Sequence, residues 1–178
     1  MVFKFRIISG ENREFAREVL INSDQTFLDL HNCLQENLGY DPRQLSSFFI
    51  TNALWEKQLQ ITLIDMMDDS SDDFKIMENT RLDEHVGTEG DRMLYVFDFF
   101  SERSFFIELT AVLDISKHKN LPKVVFQNGD PPEQIMISMD DDLPLIDDEL
   151  NDDFMGGFSE DDLPDGFDFT DTEDLPDD

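Results

Sequence analysis

The chain has 178 residues, enough for one ordinary domain with a hydrophobic core and a less ordered remainder, and too few for two comfortable compact domains. Its 42 Asp and Glu against 13 Lys and Arg give a formal net charge of −29, a field that repels nucleic acid and anionic lipid and ranks direct DNA binding last among candidate functions. A single cysteine, Cys33, excludes an internal disulfide and a multi-thiolate metal site and suits a reducing compartment.

The N-terminus alternates Phe3, Phe5 and Ile7 with Lys4 and Arg6, a strand pattern that lacks the continuous apolar stretch of a signal peptide. No later run is long and apolar enough to span a bilayer, so a cytoplasmic chain with no membrane partner is expected. Ser9-Gly10-Glu11-Asn12 is turn chemistry, and Phe15, Val19 and Ile21 against Glu14 and Glu18 predict the second strand of a β-hairpin. Thr26 offers an N-cap oxygen and Asp29 completes a capping box. Phe27, Leu30, Leu34 and Leu38 recur at helical spacing, and Gly39 supplies the left-handed stop.

Beyond this helix, Ser47 to Ile50 and Gln60 to Ile64 are expected as strands, with Trp55 between them as a core anchor and Asp68 to Asp73 as a solvated loop. Thr80 and Asp83 repeat the capping spacing before a short helical turn. Thr88 to Asp91 turns the chain into a second hairpin, Met93 to Phe100 followed by Phe105 to Val112 across the polar Ser101-Glu102-Arg103-Ser104. Val124 to Phe126 forms a last strand, and Gln127 to Glu133 a closing turn. Hairpin, helix and further strands predict an α+β domain over residues 1–137, a β-grasp-like mixed sheet with one main helix packed on it.

Residues 138–178 hold 18 acids and no base, whereas residues 1–137 hold 24 acids and 13 bases. Acids that repel one another, punctuated by Pro and Gly, cannot bury enough surface to offset an ordering cost of about 1–2 kcal/mol per residue, so this tail is expected to be disordered when alone. Asp-Asp-Leu-Pro at 141–144 recurs at 161–164, and Glu-Asp-Leu-Pro follows at 173–176, with Phe154, Phe158, Phe167 and Phe169 between them. Such units serve equally as short linear motifs, whose acids steer a basic protein partner, or as a solubilising tail.

Arg17 in the second strand, the helix start Thr26-Phe27-Leu28-Asp29-Leu30-His31, its exit Gly39-Tyr40-Asp41, the strand Tyr95-Val96-Phe97-Asp98-Phe99 and the turn Gly129-Asp130-Pro131-Pro132-Glu133 occur in an order that resembles the plasmid pRiA4b ORF-3-like family. These are small bacterial and archaeal proteins, some encoded on plasmids or transposable elements, and the resemblance spans roughly residues 1–135. It implies an α+β sheet fold and no established reaction. The chain departs from the family pattern where Gly-Asp, Trp and His usually follow the Tyr-Asp-Phe strand, having Phe100, Ser101, Arg103 and Phe105 there. Ala16 stands near the family's tryptophan, and the cysteines expected near Gly129 are absent. Of the family's polar positions, Asp98 is the clearest survivor.

His31, His85 and His118 share no metal-ligand spacing with one another or with Cys33, and a scatter of surface or half-buried histidines is the simpler expectation. No phosphate-binding loop, nucleophile elbow or His-Glu-x-x-His pattern is present, and the tail's aspartates do not match a calcium loop, so no metal and no cofactor are expected. Asp98 is the weak catalytic candidate, because burial among Phe97, Phe99 and Phe100 favours a protonated acid. A structural role, facing solvent, capping a turn or pairing with Arg17 or Arg103, is the favoured alternative. The sequence thus points first to a non-enzymatic interaction or accessory module. The second reading is an enzyme of unknown class, for which Asp98, Arg17 and Tyr95 would have to line one pocket.

Overall fold

The computed structural model describes residues 1–64, 74–114 and 119–134; the expected Asp68 to Asp73 loop, His118 and the acidic tail 138–178 lie outside the described residues. Within them the chain is α+β. Eight strands, β1 Val2–Ser9, β2 Ala16–Asn22, β3 Ser47–Thr51, β4 Lys57–Thr62, β5 Phe74–Ile76, β6 Arg92–Asp98, β7 Arg103–Leu113 and β8 Lys123–Asn128, form one mixed sheet in the order β5-β4-β3-β6-β7-β1-β2-β8. The β4 and β5 pair is parallel, and the other neighbours are antiparallel.

Among the described residues the one α-helix, α1 Phe27–Leu38, begins where the sequence places it. Thr26 Oγ1 accepts from the Asp29 amide, the Asp29 carboxylate accepts from the Thr26 amide, and Gly39 ends the helix at φ 69°. Truncating the cap in Thr26→Ala is expected to cost about 1 kcal/mol in urea unfolding, and an unchanged midpoint would show that tertiary packing alone holds the first turn. The helix lays Phe27, Leu30, His31, Leu34 and Leu38 on a sheet face built from Phe3, Phe5 and Ile7 of β1, Val19 and Ile21 of β2, Tyr95 and Phe97 of β6, and Phe105, Ile107 and Leu109 of β7. Period-two alternation puts each strand's apolar set on this face, and the 3.6-residue helix stripe covers it.

Both hairpins form. The first turns on Ser9, whose Oγ accepts from the Glu11 and Asn12 amides. The closing turn packs back onto it: Gly129 has φ 64°, and a Cβ there would lie 2.7 Å from the Glu14 carbonyl, so only glycine fits. Arg17 clamps this junction through its Nη1, which donates to the carbonyls of Ala16, Asn128 and Gly129, while its Nε donates to Asn37 Oδ1.

Three expectations need correction. Trp55 is not a core anchor. Asn52 Oδ1 accepts from the Leu54 and Glu56 amides, and the resulting loop sets Trp55 at φ 66° with its ring against Phe106 and under the Arg92 guanidinium. Phe106 alternates with the fully buried Phe105, so this contact lies on the sheet face opposite α1. Thr80 and Asp83 form no capping box: the short 3-10 turn Leu82–Glu84 has no side-chain cap, Thr80 Oγ1 donates to the Ile76 carbonyl, and Asp83 pairs with Arg81. Finally, β6 stops at Asp98 instead of running to Phe100, because the Asp98 carboxylate folds the chain over into a turn.

Candidate functional site

The end of the sheet where β6 turns into β7 carries a groove of about 350 Å³, lined on one side by Phe97 to Ser101 and on the other by Arg43, Gln44 and Leu45. Local chemistry builds both walls. On one, Asp98 Oδ1 accepts from the amides of Phe100 and Ser101, at 3.0 and 3.3 Å, and the tight turn throws Phe99 and Phe100 outward. Phe100 is fully exposed, and Phe99 and Leu45 are each more than a third exposed. On the other wall, Gly39 reverses the chain after α1, and Asp41 Oδ1 accepts from the Arg43 amide. Buried Ser46 and Ser47 then fix the start of β3 and leave Leu45 pointing away from the core. A smaller hollow continues the apolar surface past Leu45 and Phe99 to Leu63 and Ile64. Contiguous exposed apolar side chains of this kind mark contact surfaces.

The charged groups of the groove have partners within the domain. Arg43 is held by both Asp41 carboxylate oxygens, and this pair holds the Asp41 carboxyl below its ordinary value. Asp98 is 8% exposed; its Oδ1 serves the turn and its Oδ2 lies 3.7 Å from Arg103 Nη1, which makes no hydrogen bond. Arg103 is anchored instead to Glu11 by two bonds of 2.9 and 2.7 Å, with its guanidinium over the Phe97 ring. Of the structural roles open to Asp98, the turn cap is present, and the partner is Arg103 and not Arg17.

The residues that an enzyme would need together are apart. Arg17 is at the closing turn, and Tyr95 is buried beneath α1, where Gln35 Nε2 donates to its hydroxyl at 2.7 Å and His31 Nδ1 lies 2.8 Å away. Ser46 completes this buried cluster, 3.3 Å from both Tyr95 and His31. The sequence left His31 as a surface or half-buried residue, whereas it is 2% exposed, and burial lowers its pKa to about 4. Its position four residues before Gln35 on the helix's apolar stripe was the signal that could have found it. Burial likewise raises the Tyr95 hydroxyl to about 12 and the half-buried Cys33 thiol to about 11, so the thiol is a poor nucleophile. His85, packed near Phe27, has its pKa lowered chiefly by burial. Among the described residues no three His, Cys, Asp or Glu side chains converge as a metal site, and no helix is long and apolar enough to cross a membrane.

The sequence profile of the plasmid pRiA4b ORF-3-like proteins matches residues 2–140, which span every strand and the helix described above. The chain belongs to that family. No curated protein matches it. Among solved structures, this family member is similar to a protein of unknown function from Methanosarcina mazei Go1, at 18% sequence identity and a TM-score of 0.56, over 71% of this chain and 68% of that one. At that identity the likeness establishes a shared fold and nothing about activity.

Proposed function

We propose that this pRiA4b ORF-3-like chain is a binding module that holds a basic protein partner, with the groove beside the β6–β7 turn as the docking surface and the acidic segment 138–178 as the recruiting element. The observation that carries the reading is the full exposure of Phe100 beside Phe99 and Leu45, large apolar side chains that the fold holds out of the core. The acidic segment is taken as disordered on its own account of composition, and its charge draws in a basic surface before the apolar contact forms. The sheet is taken as an elaborated β-grasp-like arrangement, supported by a helix that follows the first hairpin and crosses the sheet.

The alternative, an enzyme of unknown class acting through Asp98, has less support. Both carboxylate oxygens face groups of the protein itself, and Arg43, the other ionisable group lining the groove, is held by Asp41. The test is capture from host lysate on the full-length chain and on Phe100→Asp, with thermal unfolding as the control. Phe100 buries nothing in the fold, so Phe100→Asp is expected to melt with the wild type yet lose a basic partner that the wild type retains at moderate salt. Equal retention by the two proteins would remove the groove from the reading.

A further inference from the structure

The sheet face opposite α1 carries an aromatic corner of its own. Trp55, the only tryptophan of the chain, reaches that face from the loop between β3 and β4. Asn52 builds the loop: its Oδ1 accepts from the Leu54 and Glu56 amides, its carbonyl accepts from the Trp55 amide, and its own amide donates to the Glu56 carbonyl. The loop holds Trp55 at φ 66°, a left-handed position that a bulky residue adopts only where its surroundings impose it. The indole meets the Phe106 ring at 90° with centroids 5.0 Å apart, so the two rings form a corner and not a stack. Together with the exposed Ile8 they bound a hollow of about 280 Å³, rimmed by Arg6 and Glu108.

In the register of the sheet Arg6 has Glu18 on one side and Glu108 on the other. Both acids are taken: Glu18 pairs with Lys4 at 2.7 Å, and Glu108 with Arg92 at 3.1 Å. Arg92 is held further by the Ala53 carbonyl and lies over the Trp55 ring. Among the described residues Arg6, exposed at the rim of the hollow, makes no hydrogen bond and no ion pair. Lys4, Arg6 and Arg92 against Glu18 and Glu108 leave one positive charge over beside an apolar corner, on a chain whose formal net charge is −29.

We propose that this hollow binds a small planar aromatic molecule bearing one acidic group, whose ring lies in the corner of Trp55 and Phe106 and whose carboxylate or phosphate is taken by Arg6. Two rings at right angles offer a third ring both a face and an edge, and an unpaired guanidinium supplies charge-assisted bonds to an oxyanion. The volume falls just below the range of about 300–1,000 Å³ for pockets of drug-sized ligands, which suits a single ring system. A polyanion needs more than one surplus charge to overcome a domain segment with 24 acids against 13 bases. The hollow shares no residue with the groove beside the β6–β7 turn, so this site goes beyond the docking function and is tested separately from it.

The experiment is titration of the full-length protein followed by tryptophan fluorescence, which reports on Trp55 alone. The ligands are 3-phenylpropionate and adenosine monophosphate, with 3-phenylpropionamide and adenosine as neutral counterparts and propionate and inorganic phosphate as ringless ones. At low salt one of the two aromatic acids is expected to change the emission saturably and to bind about tenfold more tightly than its neutral counterpart, while the ringless ions give no saturable change. The acid that binds more tightly identifies the ligand's acidic group as carboxylate or phosphate. Arg6→Gln should remove the advantage over the neutral counterpart, and Ile8→Asp, which sets a carboxylate in the hollow, should abolish binding of the acid. Both positions are exposed, and thermal unfolding checks that the variants fold. Phe100→Asp, in the groove, should bind the acid as the wild type does. Equal affinity for acid and neutral counterpart, an unchanged advantage in Arg6→Gln, or no response to either acid would overturn the proposal. A single-stranded oligonucleotide that binds more tightly than the mononucleotide would also overturn it, in favour of a polyanion.

Discussion

Phe105→Ala is expected to destabilise the domain by about 3–5 kcal/mol in urea unfolding. Phe105 is fully buried at the centre of an aromatic cluster drawn from β6, β7, the hairpin turn before β2 and the loop after α1. Its ring lies 4.7 Å from that of Phe97 on β6, 4.9 Å from Phe15 before β2, 6.3 Å from Tyr40 after the helix and 6.5 Å from Tyr95. Removing the ring deletes the transfer free energy of a buried phenyl group and leaves a hole that four rigid neighbours cannot collapse into. Tyr40 is further pinned by its bond to Pro132, so relaxation from that side would break a polar contact. Against a total stability of about 5–15 kcal/mol for a domain of this kind, the change would leave it marginal. The neighbouring Phe106→Ala, on the opposite sheet face and only partly buried, should cost distinctly less. A loss below about 1 kcal/mol for Phe105→Ala, or equal losses for the two, would mean that the sheet presents the other face to the helix.

Acid should weaken the fold through His31 before the carboxylates titrate. The folded-state pKa of about 4 lies below the ordinary 6.5, so the folded protein favours the neutral ring, and the stability it contributes is complete above pH 6.5 and declines as pH falls toward 4. The cause is burial: the imidazole is 2% exposed, and its neighbours Tyr95, Ser46 and Gln35 are uncharged and supply no carboxylate to stabilise a cation. Tyr95, with its own pKa raised to about 12, stays protonated throughout and can donate to the neutral Nδ1. From pH 7.5 to pH 5.0 the linkage amounts to about 2 kcal/mol. The measurement is urea unfolding at both pH values for the wild type and His31→Gln, because the general repulsion at a net charge of −29 also relaxes in acid and cancels in the difference. Identical pH slopes for the two proteins would show that His31 is not held neutral.

Both effects arise beneath a helix whose limits were legible in advance, since Thr26, Asp29 and Gly39 act on backbone groups within one turn of themselves. The hairpins were legible for a related reason: alternation and turn residues specify pairing between segments close in the chain. The family resemblance rested on those same local stretches, and the profile match over residues 2–140 covers them. The candidate site was legible only in part. Asp98 was singled out, but its two turn bonds follow from the backbone path after it, and the groove is completed by Leu45, more than fifty residues earlier.

Composition, periodicity and capping chemistry were therefore sufficient for the class of fold, the helix and the hairpin order, because each is set by interactions within a few residues. Three-dimensional packing settled which of two adjacent phenylalanines is core: Phe105 is enclosed and Phe106 is not, and Phe99 and Phe100, identical in type, stand in solvent. It also moved Trp55 to the far face of the sheet and sank His31 into the core. Side-chain type alone carries no record of these outcomes, since burial depends on which distant strand lies alongside, and that is decided only when β1, β7 and β6 meet under the helix.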